Sequence, residues 1–137
     1  MQVFHPGDHG STFGGNPLAA AVADEALALL VRDGLVERSA ALGARFLARL
    51  QAIRNPLIRD IRGRGLMIGL ELDTRRVSAR LAAEWLLARG LMTKDTHESV
   101  LRFTPPLVIT EQELDWAAVV IEDALTDLDR RFPGANP

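Results

Sequence analysis

The residues best suited to chemistry in this 137-residue chain fall in two places far apart in sequence. Near the start, Gly10-Ser11-Thr12-Phe13-Gly14-Gly15-Asn16-Pro17 sets two hydroxyls and paired glycines directly ahead of a helix start. Asn16 is a good N-cap and Pro17 fits the first helical position. Backbone N–H groups at such a terminus attract phosphate, Ser11 and Thr12 can add O–H donors, and Gly14-Gly15 lets the backbone come close to a ligand. The spacing alone leaves a plain turn as the alternative, because neither GxxxxGK[ST] nor GxGxxG is present. Far downstream, Leu101-Arg102-Phe103 reads as a strand with Leu101 and Phe103 on one face and Arg102 on the other. A guanidinium facing a cleft would pair with a carboxylate through two parallel hydrogen bonds, and an ordinary solvated arginine is the alternative.

The remaining candidates are plainer. Lys94 is the only lysine, and His5, His9 and His97 are scattered without cysteine partners or HExxH spacing, so no metal site is expected. His9 is read as shaping the glycine-rich loop. Arg59, Arg62 and Arg64 read as solvated residues near a turn, with a dimer contact as the alternative, and Asp60 and Glu71 as strand residues without an acid–base partner. Trp85 and Trp116 are assigned to the core and Met67 and Met92 to gap-filling.

Composition sets the frame for these groups. A net charge of −2 and arginines interspersed with acids supply no basic field for nucleic acid. There is no cysteine, hence no disulfide framework and no thiolate chemistry, which fits a reducing, cytoplasmic setting. Neither a signal-peptide pattern nor an apolar run of roughly eighteen residues is present, so no membrane span is expected.

Elements able to position the two stretches follow from periodicity. Residues 1–15 read as loop, with Met1-Gln2-Val3-Phe4 as a strand end. An alanine- and leucine-rich helix from Asn16 to about Arg32 is apolar on most of its circumference, which predicts packing on several sides, and Gly34 supplies its stop. A second helix, Leu35 to Arg54, stacks Leu42, Phe46, Leu50 and Ile53 on one stripe and ends at Asn55-Pro56. Strands are expected at Leu57–Arg62 and Leu66–Leu72 around a Gly63-Arg64-Gly65 turn, with Leu66, Ile68, Leu70 and Leu72 on one face. A third helix, Ser78 to Arg89, aligns Val77, Leu81 and Trp85. Short strands at Leu91–Thr93 and Val100–Phe103 follow. Thr110-Glu111-Gln112-Glu113 is a capping box that opens a last helix with the stripe Leu114, Ala118, Ile121, Leu125, Leu128, Phe132. Residues 133–137 read as a frayed tail. The pattern is α/β: a connecting helix over 16–34 and a small unit of strands covered by helices over 35–132.

His9-Gly10-Ser11-Thr12-Phe13-Gly14-Gly15-Asn16-Pro17-Leu18 closely resembles a segment of the class III aminotransferases, the ornithine and acetylornithine group, and Leu101-Arg102-Phe103-Thr104-Pro105-Pro106-Leu107-Val108-Ile109 resembles a second one in the same order. The resemblance runs to about Leu128 and covers roughly the last third of a family member. It implies the C-terminal small domain of a fold type I pyridoxal-phosphate-dependent transferase, with 1–15 as the end of the large cofactor domain. Ser11 and Thr12 would then bind the phosphate of pyridoxal 5′-phosphate held by the neighbouring subunit of a dimer, and Arg102 would receive the carboxylate of an amino or oxo acid. The lysine that carries the cofactor lies, in the family, some tens of residues before the Gly-Ser-Thr segment, so its role does not pass to Lys94, and the chain is expected to be inactive alone. Lys94-Asp95-Thr96-His97, which looks like the family's loop before the arginine, and Leu114-Asp115-Trp116-Ala117 look like the ornithine branch. That branch moves the δ-amino group of ornithine to 2-oxoglutarate. Gly7-Asp8-His9-Gly10-Ser11-Thr12-Phe13-Gly14-Gly15 is at least as typical of the acetylornithine branch. A non-catalytic domain that binds a partner aminotransferase chain is the third reading.

Overall fold

The computed structural model describes residue 5, residues 7–8 and residues 10–134, so Met1-Gln2-Val3-Phe4, His9 and the last three residues of the tail lie outside the described residues. The chain divides into two units, Met1–Val36 and Glu37–Pro137.

In the first unit a loop leads into α1 (Pro17–Arg32). Asn16 is extended, its Oδ1 accepts the Ala19 N–H at 2.9 Å, and its Nδ2 donates to the Phe13 carbonyl at 2.6 Å. At the other end Gly34, at φ 59°, takes the left-handed conformation that stops the helix. No residue of α1 is buried, contrary to the packing its apolar circumference predicts. Leu18, Val22, Leu27 and Val31 are all exposed, and α1 is the one element lying wholly among the described residues of this unit.

The second unit builds one antiparallel sheet. After α2 (Leu35–Gln51) come β1 (Ile58–Arg64), β2 (Met67–Leu72), α3 (Ala79–Leu87), β3 (Lys94–Thr96), β4 (Val100–Phe103) and α4 (Glu111–Arg131). The strand order is β1-β2-β4-β3. Ile61, Ile68, Leu70, Leu72, Leu101 and Phe103 point inward and join the buried faces of α2, α3 and α4 in one cluster, which leaves the opposite face of the sheet free of core. The alternation expected along Leu66–Leu72 therefore holds.

Several boundaries differ from the sequence expectation for local reasons. α2 ends at Gln51, not Arg54, because the Ile53 N–H turns back to the Leu50 carbonyl and Asn55 Oδ1 caps the Leu57 N–H ahead of the strand. Arg64 pairs with Met67, so the hairpin turn is Gly65-Leu66 and Gly63-Arg64 belong to the ladder. Gly65 has φ 54°, and Ser39 Oγ accepts the Leu66 N–H at 3.2 Å. Here α2 runs against the turn so closely that a methyl group on Gly43 would overlap the Gly65 carbonyl. α3 buries Ala79, Ala82, Ala83 and Leu86; of the expected stripe Val77 is buried, and Leu81 and Trp85 pack half-buried against the core rather than inside it. The Trp85 ring instead has the Arg89 and Arg131 guanidinium carbons 5.7 and 5.8 Å from its centre.

The capping box forms as expected: Thr110 Oγ1 accepts the Glu113 N–H at 3.2 Å while Glu113 accepts the Thr110 N–H at 2.8 Å. The C-terminal end of α4 is held by Arg76, which donates to Asp129 Oδ1 and to the Phe132 carbonyl, both at 2.6 Å. Asp73, in the turn after β2, is the one charged side chain buried among the described residues. It accepts from Arg75 Nε at 2.9 Å and from Arg59 at 3.4 Å. The Arg75 bonds, which outweigh partial burial, hold its carboxyl well below the usual carboxylate range.

β3 sits three residues later than expected, at Lys94–Thr96, in the stretch read as a loop; Leu91–Thr93 is not a strand. Pairing with β4 decides this. Lys94, Asp95 and Thr96 oppose Arg102, Leu101 and Val100, and His97 and Glu98, both left-handed at φ 50° and 60°, close the hairpin. Among the described residues no helix is long and apolar enough to cross a membrane.

Candidate functional site

Arg102 stands where strand alternation puts it. Leu101 and Phe103 are buried, and the Arg102 side chain is exposed on the coreless face of the sheet. The registers line up one row across that face, Arg62 on β1, Gly69 on β2, Arg102 on β4 and Lys94 on β3. At one end of the row Arg62 donates to Asp60 at 2.6 Å and to Glu71 at 2.7 Å. Those three residues, read from sequence as solvated or partnerless, form one neutralising cluster. At the other end Lys94 Nζ lies 3.3 Å from Asp95 Oδ1. Arg102 has no carboxylate partner among the described residues, and Gly69 leaves the position beside it without a side chain.

Arg102 and Lys94 open onto a groove of about 850 Å³ between the end of the sheet and the start of α4. Its walls carry Met92, Val108 and Trp116, which are 84, 68 and 50% exposed. Met92 and Trp116 are therefore not core residues, and neither is Met67 at 59% exposure. Glu113 also lines the groove, but its carboxylate is engaged with Thr110, whose backbone N–H and hydroxyl hold it below the usual range. Two contacts fix the frame around Arg102. Thr93 Oγ1 donates to the Arg102 carbonyl at 3.0 Å, and Arg38 on α2 donates to the carbonyls of Leu107 and Ile109, at 3.4 and 2.5 Å, in the loop that follows β4.

Ser11 and Thr12 belong to the first unit and are both exposed. Ser11 Oγ accepts the Gly14 N–H at 2.9 Å, which tightens the turn and leaves the hydroxyl proton to be donated outward. Gly15, at φ 76°, turns the chain into the Asn16 cap. The arrangement offers two O–H donors on a turn leading into a helix and suits an anion of phosphate size. Among the described residues no three acidic or histidine side chains gather as metal ligands.

The exposure of Ser11, Thr12 and Arg102 agrees with what their positions in the sequence predict, whereas the opposition of Lys94 and Arg102 was not legible there. That pairing depends on the register of a three-residue strand with no apolar alternation of its own.

Residues 1–125 match the family model described as "Aminotransferase class-III". The chain is 57% identical over 125 residues to an ornithine aminotransferase of an Exiguobacterium strain, covering 91% of this chain and 30% of that protein. It is 48% identical, over the same shares of the two chains, to an ornithine aminotransferase of Bordetella pertussis. Among solved structures it superposes on Plasmodium falciparum ornithine delta-aminotransferase with a TM-score of 0.87 at 38% identity, over 96% of this chain and 35% of that one. An acetylornithine aminotransferase of Elizabethkingia anophelis gives 0.80 at 40% identity, over 90% and 32%. The chain thus spans about a third of the length of the proteins it matches.

Proposed function

Since this chain belongs to the class III aminotransferases, we propose that it forms the C-terminal part of a cytoplasmic enzyme that transfers the δ-amino group of ornithine to 2-oxoglutarate, giving glutamate 5-semialdehyde and glutamate. The observation that carries this reading is Arg102, an unpaired guanidinium held on the open face of the sheet by two buried neighbours. In this role its planar fork takes a substrate carboxylate, and the Thr93 and Arg38 contacts keep the strand and the following loop in place. Relatives named as ornithine aminotransferases, at 48 to 57% identity, support ornithine as the amino donor. Acetylornithine is the second reading, supported by the Gly7–Gly15 stretch and by the Elizabethkingia structure.

Ser11 and Thr12 are assigned to the phosphate of pyridoxal 5′-phosphate, because both hydroxyls are exposed and free to donate. The cofactor, when bound, supplies the electron sink that lets an amino group pass between an amino acid and an oxo acid. This chain's part is to supply phosphate donors from one unit and a carboxylate-binding guanidinium from the other. We assign the covalent cofactor bond to a lysine of a large-domain polypeptide, whether joined to this chain, complementing it or contributed across a dimer. That polypeptide would also cover the exposed apolar residues of α1.

Co-expression with the part of the Exiguobacterium relative that this chain does not match tests the assignment. The complex is expected to transaminate ornithine with 2-oxoglutarate and to prefer ornithine over acetylornithine, while the chain alone with added cofactor turns over neither. A complex that binds cofactor but transaminates neither substrate would identify a non-catalytic interaction domain. A preference for acetylornithine would select the second reading.

A further inference from the structure

Two cations face each other across adjacent strands without an acid to separate them. Arg102 and Lys94 are direct cross-strand partners and line the same groove. Directly opposed residues in such a pair have Cβ atoms about 4.5–5.5 Å apart, and like charges at that spacing repel. The acids nearby are already shared out. Asp60 and Glu71 belong to Arg62, and Glu113 to the Thr110 cap. Asp95 touches Lys94, but its field also acts on Arg80, which is bonded in turn to Glu84. Three cations, Arg80, Lys94 and Arg102, therefore stand against two acids, Asp95 and Glu84, and the surplus charge sits at Arg102 beside Lys94. On the far flank Gly69 brings no side chain of its own, and the Val100 side chain packs over it, so no acid from β2 reaches Arg102 in that row.

We infer that Lys94 is a second ligand of the carboxylate that Arg102 receives, so that the two side chains form a clamp across β3 and β4. The fork of Arg102 fixes the plane of the carboxylate, and the compact ammonium of Lys94 adds a point charge from the edge strand. Asp95, the next residue along β3, lies within 3.3 Å of the ammonium. The anion relieves a repulsion built into the fold, which ties ligand binding to the order of the hairpin closed by His97 and Glu98. This clamp rests on the carboxylate reading of Arg102 given above.

The sequence supplies a clean probe, because Lys94 is the only lysine. Reductive 13C-methylation of the full chain keeps the lysine positive and gives one lysine methyl signal, distinct from that of the N-terminal amine. Titration with glutarate, against sodium chloride at matched ionic strength, is expected to move that signal saturably, and Arg102→Gln to remove most of the movement. Lys94→Gln should weaken glutarate binding roughly tenfold, read at the Arg102 Nε–H resonance of unmethylated protein, as expected for loss of one charge-assisted contact. Lys94→Arg should restore most of it. A glutarate response at Arg102 with none at Lys94, or unchanged affinity in Lys94→Gln, overturns the clamp and leaves the Arg102 reading standing. No response at either residue beyond the chloride control overturns both.

Discussion

Leu27 in α1 and Leu128 in α4 are the same side chain on two long helices, yet the first is 65% exposed and the second fully buried. The contrast extends to the two units that contain them. Glu37–Pro137 closes its own core: three helices and one sheet face share a single buried cluster, and even its charged turn at Asp73 is internally paired. Met1–Val36 has caps and turns of good local geometry but buries nothing along α1. Local signals thus specify α1 without burying any of it, whereas the helices of the second unit also share a core. Arg102 lies on the second unit, and Ser11 and Thr12 lie on the first.

The largest effect that would sharpen this contrast is functional. In the assembled enzyme Arg102→Ala should lower kcat/KM for 2-oxoglutarate by roughly thirtyfold to a few thousandfold, the loss of a desolvated charged pair worth about 2–5 kcal/mol, mainly through KM. The melting temperature of the chain should not fall, since the side chain is exposed and its removal takes away a like-charge contact with Lys94. Equal kinetics would show that the arginine is only a strand residue.

Next comes the core of the second unit. Gly43→Ala forces a methyl into the Gly65 carbonyl, and overpacking against backbone should cost about 3 kcal/mol, a drop of roughly 12–24 °C by calorimetry. By contrast, Leu27→Ser on α1 should leave the melt of the lone chain within about 0.5 kcal/mol. A large loss from Leu27→Ser would break the comparison, because α1 would then be packed in the free chain.

Thr12→Ala is expected to reverse the readouts. It should leave the melt of the chain alone, yet weaken cofactor binding in the assembled enzyme by about five- to a hundredfold, the cost of one phosphate donor at roughly 1–3 kcal/mol. Unchanged cofactor affinity, measured by absorbance titration, would reduce the glycine-rich loop to a turn.

The smallest expected effect is an acid limb confined to the second unit. Asp73 has a depressed folded value, so its contribution is fully present above the unfolded carboxylate value near 4 and is lost as pH falls through the folded one. Asp73→Asn should flatten that part of the stability curve between about pH 4 and 2. A parallel decline in both proteins would exclude Asp73 as the source.

How much of this was legible beforehand depended on whether a residue's surroundings lay nearby in the chain. The Thr110-Glu113 box, the Asn16 cap and the Leu66–Leu72 alternation are written within a few residues and appear as read. The outward direction of Arg102 follows from its two neighbours in the same way. Lys94–Thr96 was opaque because a short polar edge strand is defined by its partner, not by its own pattern. Trp116 and Met92 misled for a related reason: an apolar residue on a helical or strand-like stretch looks the same in sequence whether it faces a core or lines a groove. The Arg62 cluster joins acids two and nine positions away, a spacing that only the β1–β2 register converts into contact.

The meeting of Gly43 with Gly65 also bears on how a sequence of this kind can change over time. A first substitution at position 43 incurs its full penalty before the hairpin has moved, and no compensating change at 65 can shrink a residue that already lacks a side chain. The lineage must alter the hairpin itself, by length or by path, before the helix position is released. Two residues contributing no atoms beyond the backbone thereby act as a ratchet on the order in which neighbouring mutations can be accepted.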